Sequence, residues 1–215
     1  MDDIDVLQKP SYFNNNIFRG ERIGNPVNLK KGLIVDTVIF EGTVAQPIVS
    51  SGTVNGLITD GEVRLLYAPA DNEYVTYKNW ELKGDSPRIN FKGSQDSLNH
   101  FTFDNLTIEQ ESTQPLFIDI DPPLGSLIIK NSTLNARNST GETFNLIFSD
   151  NTFGKVRFLN TEVVTASAGN LFNAMADNTN WYFKDCVFDG VNISTNTPNT
   201  SKINNMVDGV YVPVP

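Results

Sequence analysis

Few residues in this 215-residue chain have the types and spacing that catalysis requires. Asp119 and Asp121 alternate along one apolar segment, so their carboxylates are expected to project from the same face of a strand. Such a pair could protonate a glycosidic oxygen and activate a water molecule, which is the chemistry of glycoside hydrolysis. In the repeat described below, Lys92 aligns with Asp119, which makes an ordinary surface ion pair the simpler interpretation.

Cys186 and His100 are the single cysteine and the single histidine of the chain. A catalytic thiol needs a neighbouring base or a positive field to form thiolate, and no histidine lies near Cys186 in the sequence. We therefore expect Cys186 to fill a small space at a turn and His100 to be a surface or hydrogen-bonded residue. One cysteine and one histidine also exclude an internal disulfide and a Cys/His-rich zinc site. No cofactor is expected.

The charge distribution limits the partners of the chain. It carries 16 basic and 25 acidic residues, a net charge of -9, which disfavours binding to a nucleic-acid backbone. Residues 1–31 hold five basic and four acidic residues and so carry +1, which leaves -10 for the remainder. The first ten residues are acidic and predict no signal peptide. No apolar run is long enough to cross a bilayer, so no membrane insertion is expected.

An internal repeat dominates the sequence after residue 60. Its pattern is an apolar residue, any residue, Asn or Asp, two further residues and a second apolar residue. The polar position of the copies is occupied by Asn79, Asn105, Asn131, Asn160 and Asp185, spaced by 26, 26, 29 and 25 residues. A short apolar segment, such as Leu146-Ile147-Phe148, precedes each copy by 11 or 12 residues. Each repeat therefore predicts three short strands separated by turns.

A repeat this short cannot bury its own apolar side chains, so successive repeats must stack. Stacking pairs each strand with its equivalent one repeat later, about 4.8 Å away, and places the inward side chains in columns. The sequence therefore predicts an all-β parallel β-helix of about five or six coils. Its two apolar columns are Tyr77, Phe103, Ile129, Phe158 and Phe183, and Leu82, Ile108, Leu134, Val163 and Phe188. Trp80 and Tyr182 flank inward positions, which is compatible with facing outward and equally with packing in the core or at a subunit interface.

The polar column between the two apolar columns requires a separate reason. Asn tolerates the left-handed backbone of tight corners, and stacked Asn side chains can hydrogen-bond between coils. We therefore expect Asn79, Asn105, Asn131 and Asn160 to form an inward ladder, with Asp185 as its last member.

These repeats resemble those of right-handed parallel β-helix proteins with the pectate-lyase-like architecture. The chain resembles in particular the β-helical structural and tailspike-type virion proteins of tailed bacteriophages. The resemblance covers residues 60–193 well and residues 32–59 loosely. It implies right-handed winding, in agreement with the rule for parallel crossovers.

The two ends of the chain depart from the repeat. Residues 1–31 are rich in Asn, Gly and Pro and are interpreted as an irregular arm that caps the helix or docks it to a partner. Candidate apolar anchors on this docking arm are Tyr12, Phe13, Ile17 and Phe18. The predicted β-helix spans residues 32–193. Residues 194–215 are expected to form a cap and an extended tail, because the final prolines block further strand pairing.

Three functions from different classes are compatible with these features. The first is a non-catalytic structural or attachment protein of a bacteriophage particle, in the capsid or tail, assembled in the host cytoplasm. It would form a homotrimer, bind other virion subunits through the arm, and have a host-surface glycan as a further candidate partner. The second is a polysaccharide-degrading β-helix enzyme, a hydrolase or lyase, that uses Asp119 and Asp121. The third is an isolated carbohydrate-binding module. A catalytic groove would require several acidic residues on neighbouring coils, and one loose pair favours the non-catalytic reading.

Overall fold

The regular structure of the described residues consists of strands. The computed structural model describes residues 11–23, 33–44, 52–67, 74–93, 99–110, 117–120, 124–138, 145–149, 153–174, 180–192, 200–203 and 205–212. Within these residues no helix occurs, and accordingly none is found there that is long and apolar enough to cross a membrane. The repeat thus predicted the all-β class correctly.

The described residues form sixteen strands. These are β1 Ser11–Ile23, β2 Leu33–Val44, β3 Gly52–Tyr67, β4 Tyr74–Gly93, β5 Asn99–Glu109, β6 Ile118–Ile120, β7 Leu124–Lys130, β8 Thr133–Ala136, β9 Asn145–Ser149, β10 Phe153–Leu159, β11 Glu162–Ala174, β12 Asn180–Lys184, β13 Val187–Asn192, β14 Thr200–Ile203, β15 Asn205–Val207 and β16 Val210–Val212. All belong to one continuous sheet.

The sheet is parallel except for its last pair, β15 with β16. Each strand pairs with the equivalent strand of the next repeat, and we call the residues of one repeat a layer. β1, β2, β3 and β4 pair in succession. From β4 onward the sheet divides into three families: β5, β7, β10, β12 and β14; the end of β5 with β8, β11, β13 and β15; and β6, β9 and the end of β11.

The register places both predicted apolar columns in line. Tyr77 pairs with Phe103, Phe103 with Ile129, and the same register continues to Phe158 and Phe183. The second column is likewise aligned from Leu82 to Phe188. Every member of the two columns is buried. Large apolar side chains recurring once per layer therefore form the core and fix the register, because a shift of one residue would expose them.

Aromatic side chains contact one another between layers of this core. The Tyr77 ring stacks on Phe103 with centroids 5.1 Å apart, and Phe158 lies 5.6 Å from Phe183. Within the last of these layers the Phe183 and Phe188 rings meet edge to face at 5.5 Å. Such contacts add about 0.5–1.5 kcal/mol per pair to the burial of their apolar surface.

The expectation of an irregular arm over residues 1–31 is wrong for residues 11–23. These residues form β1, which pairs in parallel with β2 over nearly its whole length. The register aligns Asn15 with Thr37, Thr37 with Gly56 and Gly56 with Asn79. Thr and Gly interrupt the polar column in the two intervening layers, which hides the repeat in this part of the sequence.

The expectation of an extended C-terminal tail is wrong for residues 205–212. The chain reverses after β15, and β16 returns as an antiparallel partner. Asp208 and Gly209 form the turn with φ of 48° and 73°, the left-handed conformation that Asp-Gly hairpin turns adopt. Asp208 Oδ1 also accepts a hydrogen bond from the Gly190 amide at 2.7 Å, which ties the hairpin to the preceding layer.

Candidate functional site

The predicted asparagine ladder is brought together, but on the surface. Asn79, Asn105, Asn131, Asn160 and Asp185 are all exposed, so the expectation that they face inward is wrong. Each has a left-handed backbone, with φ between 46° and 64°. A left-handed residue turns the chain sharply between two strands, and this turn directs its own side chain outward and the next one inward.

Side-chain hydrogen bonds connect the exposed asparagines in pairs. Asn105 Nδ2 donates to Asn79 Oδ1 at 2.7 Å, and Asn160 Nδ2 donates to Asn131 Oδ1 at 3.0 Å. Between the two pairs, Asn131 Nδ2 donates instead to Asp104 Oδ1 at 2.8 Å. This bond and the Lys130 ammonium, 3.0 Å from Asp104, outweigh partial burial and lower the pKa of the Asp104 carboxyl.

Replacement of Asn131 tests whether backbone conformation selects asparagine at this turn. A valine at φ of 52° should lower the free energy of unfolding by roughly 1–2 kcal/mol, because its β-branched side chain clashes in the left-handed region. Asn131→Gly loses the same side-chain hydrogen bonds without that clash and is expected to lose less. Thermal and urea unfolding of both variants measure the difference, and equal losses would contradict the conformational explanation.

The residue after each of the five exposed left-handed positions points inward, and together these residues form a buried column that the sequence did not reveal. Its members are Trp80, Leu106, Ser132, Thr161 and Cys186, and Asn205 continues it beside Cys186 in the next layer, all nearly inaccessible to solvent. The polar members are satisfied by the backbone. Ser132 Oγ donates to the Lys130 carbonyl at 2.7 Å and accepts from the Leu106 amide at 3.0 Å. Thr161 Oγ1 donates to the Leu159 carbonyl at 3.0 Å.

Cys186 belongs to this column and is not activated. Its thiol donates to the Lys184 carbonyl, with Sγ 3.2 Å from the oxygen. Burial raises the pKa of the Cys186 thiol to about 11, so the thiol stays protonated at neutral pH. Because a protonated thiol is a poor nucleophile, Cys186 is a structural residue of the turn, in agreement with the expectation from the sequence.

His100 is also engaged by its neighbours. Its ring stacks on Tyr74 with centroids 4.3 Å apart, and Nδ1 lies 2.9 Å from Ser126 Oγ. Burial and the positive charge of Lys155 lower the pKa of the His100 imidazole. Gly125 lies so close that a Cβ there would approach the imidazole to 2.5 Å. The ring is thus held between strands as a packing residue.

The carboxylate pair is only partly within the described residues. Asp119 lies on β6 with a half-buried side chain, and Asp121 lies outside them. The expected alignment of Lys92 with Asp119 is wrong, because Asp119 pairs with Asn90 and Lys92 pairs with Leu66. A shift of two residues preserves which side chains face inward, so the apolar pattern could not distinguish the two registers.

Among the described residues no acidic, Cys or His cluster has the arrangement of a metal site.

The four candidate docking residues lie on β1. Tyr12, Phe13, Ile17 and Phe18 pair in register with Ile34, Val35, Ile39 and Phe40 of β2. Within the described part of the chain β1 has β2 as its one partner, which makes it the first strand of the parallel stack. Their docking role stays a prediction.

No protein-family model, curated protein or solved structure matches this chain. The function must therefore be argued from the stacked architecture and the chemistry of its surface.

Proposed function

We propose that the chain winds as a right-handed parallel β-helix and serves as a structural or attachment protein of a bacteriophage particle, without catalytic activity. The observation that carries this proposal is the parallel register running from β1 to β15, layer upon layer. Three strand families repeat at the period of the sequence, which is the connectivity that winding into a helix requires. Right-handed winding is the rule for parallel crossover connections.

The environment of the reactive residues supports a structural role. The Cys186 thiol is buried and protonated, and the His100 ring is occupied by Tyr74 and Ser126. The exposed turn residues bind one another rather than converging on a cleft. Within the described residues these groups stabilise the stack, which suits a rigid element of a particle.

The proposal includes a homotrimer that binds other virion subunits after assembly in the host cytoplasm. Residues 1–31 are the proposed docking segment, and β1 gives this role a physical basis. A first strand offers backbone N–H and C=O groups along one edge, to which a strand of another subunit can add. A host-surface glycan remains a further candidate partner.

Two measurements test this function. Immunogold microscopy of particles released from cells that encode the chain should label virions, and deletion of residues 1–31 should abolish the labelling while circular dichroism still shows a β-sheet spectrum. Labelling that survives the deletion would contradict docking by this segment.

The purified protein should release no reducing ends from bacterial surface polysaccharides. Release that is lost on joint Asp119→Asn and Asp121→Asn replacement would establish the enzyme instead.

A further inference from the structure

The outward surface of the first strand family is basic, although the chain as a whole is acidic. In residues 74–78, 100–104, 126–130, 155–159 and 180–184, alternate side chains such as Phe103 and Phe158 are buried, so the others face outward. We call this outward surface the basic face. Its charged residues are Lys78, Lys130, Lys155, Arg157 and Lys184 against Asp104 alone, a net of +4. The whole chain carries -9.

Among the described residues, two of these five cations have no acidic neighbour, whereas Lys78 lies in register beside Asp104. Lys130 pairs with Asp104 at 3.0 Å, and Lys184 lies 3.9 Å from Asp185. Lys155 and Arg157, both exposed, are adjacent on one strand and have no acidic residue in register beside them.

The outward surface of the second strand family has the opposite sign. We call the outward side chains of residues 81–83, 107–109, 133–137, 162 and 187–189 the acidic face. Its charged residues are Glu81, Glu109, Glu162 and Asp189 against Lys83 and Arg137, a net of -2. Lys83 pairs with Glu81, and Arg137 with Asp189 at 3.4 Å. Glu109, which also lies in the field of Lys83, and Glu162 are the acids of this face outside those two ion pairs. The two faces adjoin along the column of exposed left-handed turn residues.

Both faces also carry apolar surface that suits protein contact. Ile128, Leu159 and Tyr182 on the basic face are partly exposed. Val187 on the acidic face and Met206, which follows it in the next layer, are 37% and 40% exposed. Apolar groups surrounded by complementary charges are typical of protein interfaces, where charge sets orientation and apolar contact provides much of the affinity.

We propose that the basic face of one copy packs against the acidic face of a second copy, side by side around a rotation axis. This inference rests on the homo-oligomer of the proposed function and specifies how its subunits meet. Because the two faces differ, the contact is heterologous, and repeating it closes a ring when the angle between the faces permits. The exposed asparagine column, which lies between the two faces, then faces the ring axis.

Charge reversal on the full-length protein tests this contact. Sedimentation of the wild type at about 0.1 M salt should give three times the chain mass of 23.8 kDa. At about 1 M salt, where the Debye length falls from about 10 to about 3 Å, association should weaken. Joint Lys155→Glu and Arg157→Glu replacement should raise the dissociation constant at least about tenfold.

A matched control separates the contact from general repulsion. Lys83→Glu with Arg137→Glu changes the net charge by the same amount but makes the acidic face more acidic, so this variant should stay associated. If both variants dissociate equally, or if the Lys155/Arg157 variant stays associated, the proposed contact is wrong while the oligomer stands. Lys155→Gln with Arg157→Gln removes the two positive charges without adding negative ones, so it should weaken association less than charge reversal does. A graded effect of this kind distinguishes loss of charge at the contact from misfolding.

A monomeric wild type at low salt would overturn both this contact and the homotrimer, without bearing on the polysaccharide assay. If the wild type is monomeric, polygalacturonate is the probe that tests whether the basic face binds an acidic glycan. Binding of polygalacturonate that the Lys155/Arg157 reversal abolishes would assign the basic face to an acidic glycan instead of a second copy.

Discussion

Replacement of Trp80 by alanine should lower the free energy of unfolding by about 3–5 kcal/mol. The Trp80 side chain is 1% exposed, lies 4.4 Å from the Tyr77 ring between centroids, and meets Phe103 edge-on at 5.9 Å. Removing the indole leaves a cavity between two layers, and the aromatic neighbours lose their contacts. Urea denaturation followed by circular dichroism measures the loss.

Trp80→Phe is the matched control for this cavity. The indole Nε1 is buried without a hydrogen-bond partner among the described residues, and an unpaired buried donor costs about 1–3 kcal/mol. Phenylalanine removes that donor while keeping most of the aromatic contact, so its loss should be well below that of alanine. An alanine variant as stable as the wild type would contradict the buried position of Trp80.

Replacement of Asn205 by leucine should destabilise the protein strongly. Asn205 is fully buried, its Oδ1 accepts from the Cys186 amide at 3.0 Å, and its Nδ2 donates to the Phe183 carbonyl at 3.2 Å. Leucine removes both hydrogen bonds and leaves the buried Cys186 amide without the Asn205 acceptor, and an unpaired buried backbone group costs about 1–3 kcal/mol. Differential scanning calorimetry should show a clearly lower melting temperature.

Val210→Ala is the control for Asn205. Val210 lies on β16, the strand that pairs with β15, and is 65% exposed, so its truncation should change stability little. If Asn205→Leu has the same melting temperature as the wild type, then Asn205 is not buried and its side chain does not bond the Cys186 amide and the Phe183 carbonyl.

The sequence predicted the all-β class and the core columns because apolar residues recur at a nearly constant distance. The side chains of Tyr77, Phe103 and Ile129, one from each layer, point inward, and no other feature of the sequence is needed to align them. The polar column was located correctly but given the wrong direction. A left-handed turn residue departs from strand alternation, so the period of two does not say where its side chain points.

The buried polar column escaped the sequence analysis for a related reason. Ser132, Thr161 and Asn205 look like turn residues, and their burial depends on carbonyl groups two residues earlier or one layer away. Only the three-dimensional turn brings those acceptors within reach. Two other features were accessible: Phe13, Asn15 and Phe18 fit the repeat pattern, and Asp208-Gly209 is a hairpin signal.

Disulfide cross-linking between adjacent layers tests the in-register parallel stack most directly. Thr107 pairs with Thr133, and parallel partners about 4.8 Å apart fall within the Cα separation that a disulfide tolerates, about 4.4–6.8 Å. In a Cys186→Ala background, Thr107→Cys with Thr133→Cys should therefore form an intramolecular disulfide, identified by mass spectrometry of the oxidised monomer. Thr107→Cys with Asn135→Cys, two residues out of register, should not. Rapid bonding of the second pair instead of the first would contradict the register on which the stacked architecture depends.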